Sequence, residues 1–192
     1  MYLNVSTTHL VIALIAIALV FLITLAIYQN HRRNTAAHLR HRFGSEYDRA
    51  VLEQGSESRA QAHLAARESR VEHLPLRNLT SAERERSLAD WESIQSRFLD
   101  HPKGAVIEAD ELVATLMNAR GYPVADFDQR AADISVHHPR VVDSYRSAHA
   151  VSLRLNNDEA TTEDLRTAMI QYRTLFDELL QLRSPNQIES AA

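Results

Sequence analysis

Charged and imidazole side chains recur at helical spacing around a His-His-Pro step at residues 137–139. The proline favours the first turn of a helix, and the free amide groups of such a turn attract anions. Arginine and histidine side chains beside it could bind an anion or small molecule, or form an acid–base pair. The competing interpretation is a structural polar network at a helix corner. The candidate ligand-binding residues are Arg130, Asp133, His137, His138, Arg146 and His149.

A second histidine group precedes the main body of the chain. His31, His38 and His41 have spacings that place them on one helix face. Four arginines surround them, and their positive field opposes cation binding. We therefore expect no metal site and no cofactor. The four arginines are Arg32, Arg33, Arg40 and Arg42, and they are the basic residues that we expect to lie next to the membrane.

The signatures of common enzyme classes are missing from the sequence. It contains no cysteine, a single lysine, no HExxH or Glu-x-x-His pair, and no glycine-rich phosphate loop or GxSxG turn. The formal net charge of -4 also argues against a nucleic-acid-binding protein. We expect no catalytic residues and a function that is not enzymatic.

An uncharged apolar run at residues 10–28 predicts a transmembrane helix. At about 1.5 Å per residue the run spans about 28 Å, close to the hydrocarbon thickness of a bilayer. The preceding extension, residues 1–9, has no Lys or Arg, whereas four arginines follow the run. The positive-inside rule then predicts an outside N-terminus and a cytoplasmic C-terminal domain in a bacterial plasma membrane.

Glycines and prolines fall where helical patterns stop, which predicts an all-α protein. Residues 29–79 combine the basic segment with a polar helical stalk, in which helices over 45–54 and 56–74 are interrupted at Gly55. Residues 80–183 form a small helical bundle that opens with a Thr80–Glu83 capping box, and 184–192 form a disordered tail. The predicted core stripes include Leu88, Trp91, Ile94 and Phe98, then Val106, Ala109, Val113 and Leu116, and finally Leu165, Met169, Tyr172, Phe176 and Leu179.

Three longer strings carry a resemblance to a known family: RFGSEYDRAV at 42–51, WESIQSRFLDHP at 91–102 and RGYPVADFDQRAADISVHHPRVVDSYRSAHAV at 120–151. The chain resembles an uncharacterised family of single-pass, membrane-anchored helical proteins from high-GC bacteria, some of them labelled secreted. The resemblance implies the anchored helical architecture and brings no catalytic residues with it.

Two classes of function follow from these observations. The first is a membrane-anchored helical module for protein interaction or scaffolding, whose partner is another copy bound through the stalk or a separate chain in a helical groove. The second is a helical head that binds a small molecule or anion through the Arg/His/Asp cluster, either as a binding module or as an enzyme. The lipid bilayer is a partner in both.

Overall fold

The computed structural model describes residues 7–123, 125–155 and 159–181, with the backbone alone for 7–13, 26–28 and 30–34. The described residues form helices joined by turns and loops and contain no strand, which confirms the all-α prediction. The expected disordered tail lies outside the described residues, as does most of the N-terminal extension. The helices are α1 Thr7–Phe43, α2 Ser45–Gln54, α3 Glu57–Glu72, α4 Ser81–Arg97, α5 Pro102–Ala119, α6 Phe127–His137, α7 Pro139–Leu155 and α8 Thr162–Gln181.

Local sequence signals set most of the helix boundaries. The Thr80 hydroxyl accepts a hydrogen bond from the Glu83 amide, and the Glu83 carboxylate accepts one from the Thr80 amide, so the predicted capping box is confirmed. Asp126 caps α6 through the amide of Gln129. Between α5 and α6 the chain turns at Gly121, whose φ of 95° favours glycine.

The core lies where α5, α7 and α8 pack together, with α4 against α5 and α6 against α7. Trp91 is 2 % exposed and its ring stacks on that of Phe176 at 4.8 Å, which confirms its predicted core position. The predicted stripe of α4 is only partly buried, because Leu88 is 36 % exposed. On α5 and α8 every predicted stripe residue is buried: Val106, Ala109, Val113, Leu116, Leu165, Met169, Tyr172, Phe176 and Leu179.

The helices α2 and α3 differ from the stalk expected for this part of the chain. The chain divides into two compact units between Arg42 and Phe43, and α2 and α3 belong to the same unit as α4–α8. They pack on each other, α3 on α6, and α2 on α7. These two helices bury few large apolar side chains, and for that reason their sequence predicted a polar stalk. The buried apolar residues of these two helices are Tyr47, Ala50, Ala60, Leu64 and Val71.

The long helix α1 has 37 residues and contains the apolar run. Its side chains from Leu14 to Leu25 are all exposed. The described residues provide no helix whose apolar stretch is long enough to cross a membrane.

Candidate functional site

An open groove of about 630 Å³ separates α4 from α8. Both helices pack on α5, and the space between them is left unfilled. The stacked Trp91 and Phe176 rings lie beneath the groove, since Trp91 is almost fully buried and still contributes to its wall. The lining residues are Trp91, Gln95, Phe98, Leu99, Arg166, Met169, Ile170, Arg173, Thr174 and Asp177.

Large apolar side chains at the groove are exposed to solvent. Leu99 is 87 % exposed and Ile170 is 63 % exposed, next to the half-buried Phe98. A contiguous apolar patch with a polar rim is typical of a surface that binds another molecule. The apolar content of this groove is therefore the feature of the described structure that best indicates a binding site.

Two arginines lie along the α8 edge of the groove, and each is paired with an acid of the same helix. The Arg173 guanidinium lies over the Trp91 ring, 5.4 Å from its centroid, and its Nε donates to Asp177 at 2.8 Å. Arg166 pairs with Glu163 at 3.3 Å, one turn away. Both arginine side chains remain at least two-fifths exposed. They lie seven residues apart on the same helix, about 10 Å along its axis, and so form a row on one face.

Of the six residues predicted to bind a ligand, Arg130 and His149 lie on either side of the Tyr145 and Phe127 rings, which are 4.8 Å apart. Arg130 donates from Nε to the Tyr145 hydroxyl at 3.2 Å and from Nη1 to the Ala125 carbonyl at 2.9 Å. His149 stacks on the Phe127 ring with 3.6 Å between centroids, and its Nδ1 lies 3.5 Å from Asp110. These contacts join α5, α6 and α7 inside the bundle.

Asp133 and Arg146 form ion pairs with residues of α3 and α2, the helices that the sequence predicted as a stalk. Asp133 is buried and accepts from both Arg70 and Gln129, the latter at 2.8 Å. Arg146 donates to the buried Glu46 from Nε at 3.2 Å and from Nη2 at 3.0 Å. The sequence analysis missed these partners because no local pattern links residues about 60 to 100 positions apart. The one signal in the sequence was that charged residues lie beside large apolar ones on these helices, as Glu46 does beside Tyr47 and Arg67 does one turn after Leu64.

The two adjacent histidines, His137 and His138, contact different residues. His137 Nδ1 lies 3.4 Å from the Tyr122 hydroxyl, and burial raises the pKa of Tyr122 to about 12. His138 is buried, with Nδ1 3.5 Å from Glu178. Burial lowers the pKa of His138 and outweighs the opposing effect of Glu178, so this imidazole is neutral at pH 7 and the pair is not a salt bridge. The six residues thus bridge helices at several points and do not converge on one pocket.

The four basic residues that follow the apolar run, Arg32, Arg33, Arg40 and Arg42, are only partly described. The side chains of Arg32 and Arg33 lie outside the described residues, while Arg40 is exposed and Arg42 half-buried. Within the described part of the chain, no three His, Asp or Glu residues are arranged to hold a metal ion.

Comparisons with protein-family models, with curated proteins and with solved structures find no match to this chain.

Proposed function

We propose that this protein is a membrane-anchored helical module that binds a partner protein and has no catalytic role. The open apolar groove between α4 and α8 carries the proposal, because two helices on a shared base leave room for a third. Docking of an amphipathic helix into such a groove is a recurring mode of recognition, with apolar anchors spaced at successive helical turns.

The charges at the groove specify the chemistry of the partner helix. Its apolar stripe would cover Leu99 and Ile170, removing both from water. Its flank would carry acidic residues seven positions apart, facing Arg166 and Arg173. Two acids seven residues apart are separated by about 10 Å along a helix, which matches the separation of the two guanidiniums. Complementary charge of this kind favours one partner over others.

The apolar segment of α1 supports the membrane anchor. Consecutive side chains from Leu14 to Leu25 are exposed on every face of the helix, at 66 % for Leu14 and 40 % for Leu25. The only polar side chain among them, Thr24, donates its hydroxyl to the Phe21 carbonyl at 2.8 Å. An internally satisfied hydroxyl on a uniformly apolar surface suits a lipid environment, where no water is present to pair with it. Residues 10–28 form the span in this proposal.

In this proposal the C-terminal domain lies in the cytoplasm of a bacterial cell and the N-terminus lies outside, because the arginines follow the apolar run. A cysteine-free chain allows a direct test through a single Lys103→Cys substitution, because Lys103 is exposed. We expect a membrane-impermeant maleimide to label this cysteine only after lysis. Labelling in intact cells would reverse the orientation, and recovery of the protein without membranes would refute the anchor.

A pair of synthetic helices tests the groove. Both peptides carry the same leucine stripe, and they differ in having Glu or Lys at two flanking positions seven apart. We expect the Glu peptide to bind the full chain in detergent micelles at least about tenfold more tightly, since each charge pair adds to or subtracts from the same apolar contact. Arg173→Glu should reverse the preference. Arg49→Glu is the matched control, because the Arg49 side chain is 47 % exposed against 42 % for Arg173 and also pairs with an acid four residues further along its helix.

Two results would overturn the groove as the binding site. One is binding of neither peptide while the unfolding transition of the chain is normal. The other is a preference between the peptides that Arg49→Glu changes as much as Arg173→Glu does. Leu99→Ser provides a second check, because an exposed side chain contributes little to stability and its loss should weaken binding alone.

A further inference from the structure

A second, polar cleft of about 290 Å³ lies between α3 and α6, apart from the α4–α8 groove. Its two walls have opposite character. The α3 wall carries guanidinium and imidazole groups at positions 63, 67 and 70, which share one helix face. The α6 wall carries carboxylates and an amide from the first turn of that helix. The lining residues are His63, Arg67, Arg70, Asp126, Asp128, Gln129 and Ala132.

The α3 wall keeps hydrogen-bond donors without partners among the described residues. The Arg67 side chain is 8 % exposed, and its Nη1 donates to Glu46 at 3.3 Å. Its Nε is buried and unpaired. Arg70 directs Nε and Nη2 to a single oxygen of Asp133, which leaves Nη1 available. Guanidinium N–H groups without acceptors beside the cleft favour a ligand that supplies an oxygen to them.

The arginines are held in place by buried acids behind the cleft. Glu46 is shared between Arg67 and Arg146, so one carboxylate faces two guanidiniums and an excess positive charge remains. Burial lowers the pKa of the His63 imidazole, and the charge of Arg67 lowers it further, so this imidazole is neutral at pH 7. Fixed guanidiniums with spare donors are suited to a carboxylate or phosphate.

The α6 wall keeps acceptors. Asp126 uses Oδ1 to accept from the Gln129 amide at 2.8 Å, and its other oxygen has no partner in the described structure. Asp128 is exposed and makes no hydrogen bond there. Gln129 commits its amide nitrogen to Asp133 and retains its oxygen. These acceptors would repel a phosphate dianion and attract an ammonium group.

We infer that the cleft binds a small zwitterion of amino-acid size, with its carboxylate on Arg67 and Arg70 and its ammonium group on Asp126 and Asp128. The separation of charge between the two walls matches a molecule that carries both signs. A volume near the lower limit of small-molecule pockets restricts the ligand to a few non-hydrogen atoms beyond those two groups. This inference does not depend on the partner-binding groove, which lies on other helices.

The test is calorimetric titration of the full chain in detergent micelles. The probes are the proteinogenic amino acids with β-alanine and γ-aminobutyrate, against propionate, propylamine and inorganic phosphate. We expect at least one zwitterion to bind, and its single-charge analogues to bind at least about tenfold more weakly, because each loses one charge-assisted contact. The order among glycine, β-alanine and γ-aminobutyrate then measures the distance between the two walls.

Two substitutions locate the site on these residues. Arg70→Gln should raise the Kd at least about tenfold, although it also removes a partner from buried Asp133. Asp128→Asn is the safer variant, since an exposed side chain without partners can change without unfolding the chain, and the Kd should rise to a similar extent. Arg86→Gln, an exposed change on α4, is the control and should leave the Kd unchanged.

Binding of no zwitterion by the wild-type chain would overturn the inference. Phosphate binding as tight as the best zwitterion, and insensitive to Asp128→Asn, would do the same by identifying an anion site. Unchanged affinity in both Arg70→Gln and Asp128→Asn would place the ligand elsewhere. Each result leaves the peptide experiment on the α4–α8 groove unaffected.

Discussion

Glu46→Gln is the substitution with the most specific expected effect on stability. Glu46 is 1 % exposed, and its carboxylate accepts from Arg67 at 3.3 Å and from Arg146 at 3.0 and 3.2 Å. It therefore joins α2 to α3 and to α7. Burial lowers the pKa of Arg67, and Glu46 is the main group that opposes this effect. Removing the negative charge leaves two guanidiniums facing each other with little water to screen them.

The magnitude follows from the burial of all three side chains. Arg67 and Arg146 are 8 % and 14 % exposed, so loss of the shared acid resembles the breaking of a buried ion pair, which costs about 3–5 kcal/mol. We expect about 3 kcal/mol, because a glutamine retains a hydrogen-bond acceptor and Arg146 has some access to water. A domain of this size has about 5–15 kcal/mol of stability in total, so the loss is a large fraction.

Urea unfolding of the full chain in micelles, followed by helical circular dichroism and by the fluorescence of Trp91, measures this loss. Asp48→Asn is the control, since Asp48 is an exposed acid on the same helix and should change stability by less than about 0.5 kcal/mol. Replacing Glu46, Arg67 and Arg146 together by methionine should recover much of the stability, because no charge is then buried. Equal effects of Glu46→Gln and Asp48→Asn would refute the reasoning.

Three further predictions concern the bundle. Trp91→Ala should lower the free energy of unfolding by about 3–5 kcal/mol, and a thermal shift near zero would contradict the core position of this ring. Gly121→Ala should destabilise by at least about 1–3 kcal/mol, because φ is 95° and a Cβ would lie 2.5 Å from the Pro75 carbonyl oxygen; an unchanged urea midpoint would contradict this. Burial lowers the pKa of His138 in the folded chain, so as the pH falls the unfolded chain takes up this proton at a higher pH than the folded chain does. The free energy of unfolding therefore decreases as the pH drops below about 6.5. His138→Gln should flatten that part of the stability profile, and an unchanged slope would mean that the imidazole stays accessible to protons beside Glu178.

Local signals in the sequence were sufficient for the helices of the bundle. The Thr80–Glu83 capping box, the proline at the start of α7 and the apolar spacing of α8 each act within a few residues. Such signals are readable without tertiary contacts, because caps and apolar periodicity depend on near neighbours alone. For the same reason the interior position of Trp91 could be predicted.

The packing of α2 and α3 could not be read in the same way. Their surfaces are polar, and the contacts that bind them pair Glu46 with Arg146 and Arg70 with Asp133 across long stretches of chain. The sequence alone does not distinguish a charged residue that is buried in an ion pair from one that is exposed to solvent. The candidate ligand cluster does not converge for this reason, since its members contact residues of several helices and of the loop before α6.

The amino-acid sequence by itself determined the all-α class, most helix boundaries, the apolar stripe of α8 and the uncharged run of residues 10–28, because composition and short-range spacing fix all of these. Only the tertiary structure decided which charges are buried together, that α2 and α3 join the bundle, and that α4 and α8 leave a groove while α3 and α6 leave a polar cleft. Those features depend on how helix faces meet in space, and a meeting of distant residues has no local signature in the chain.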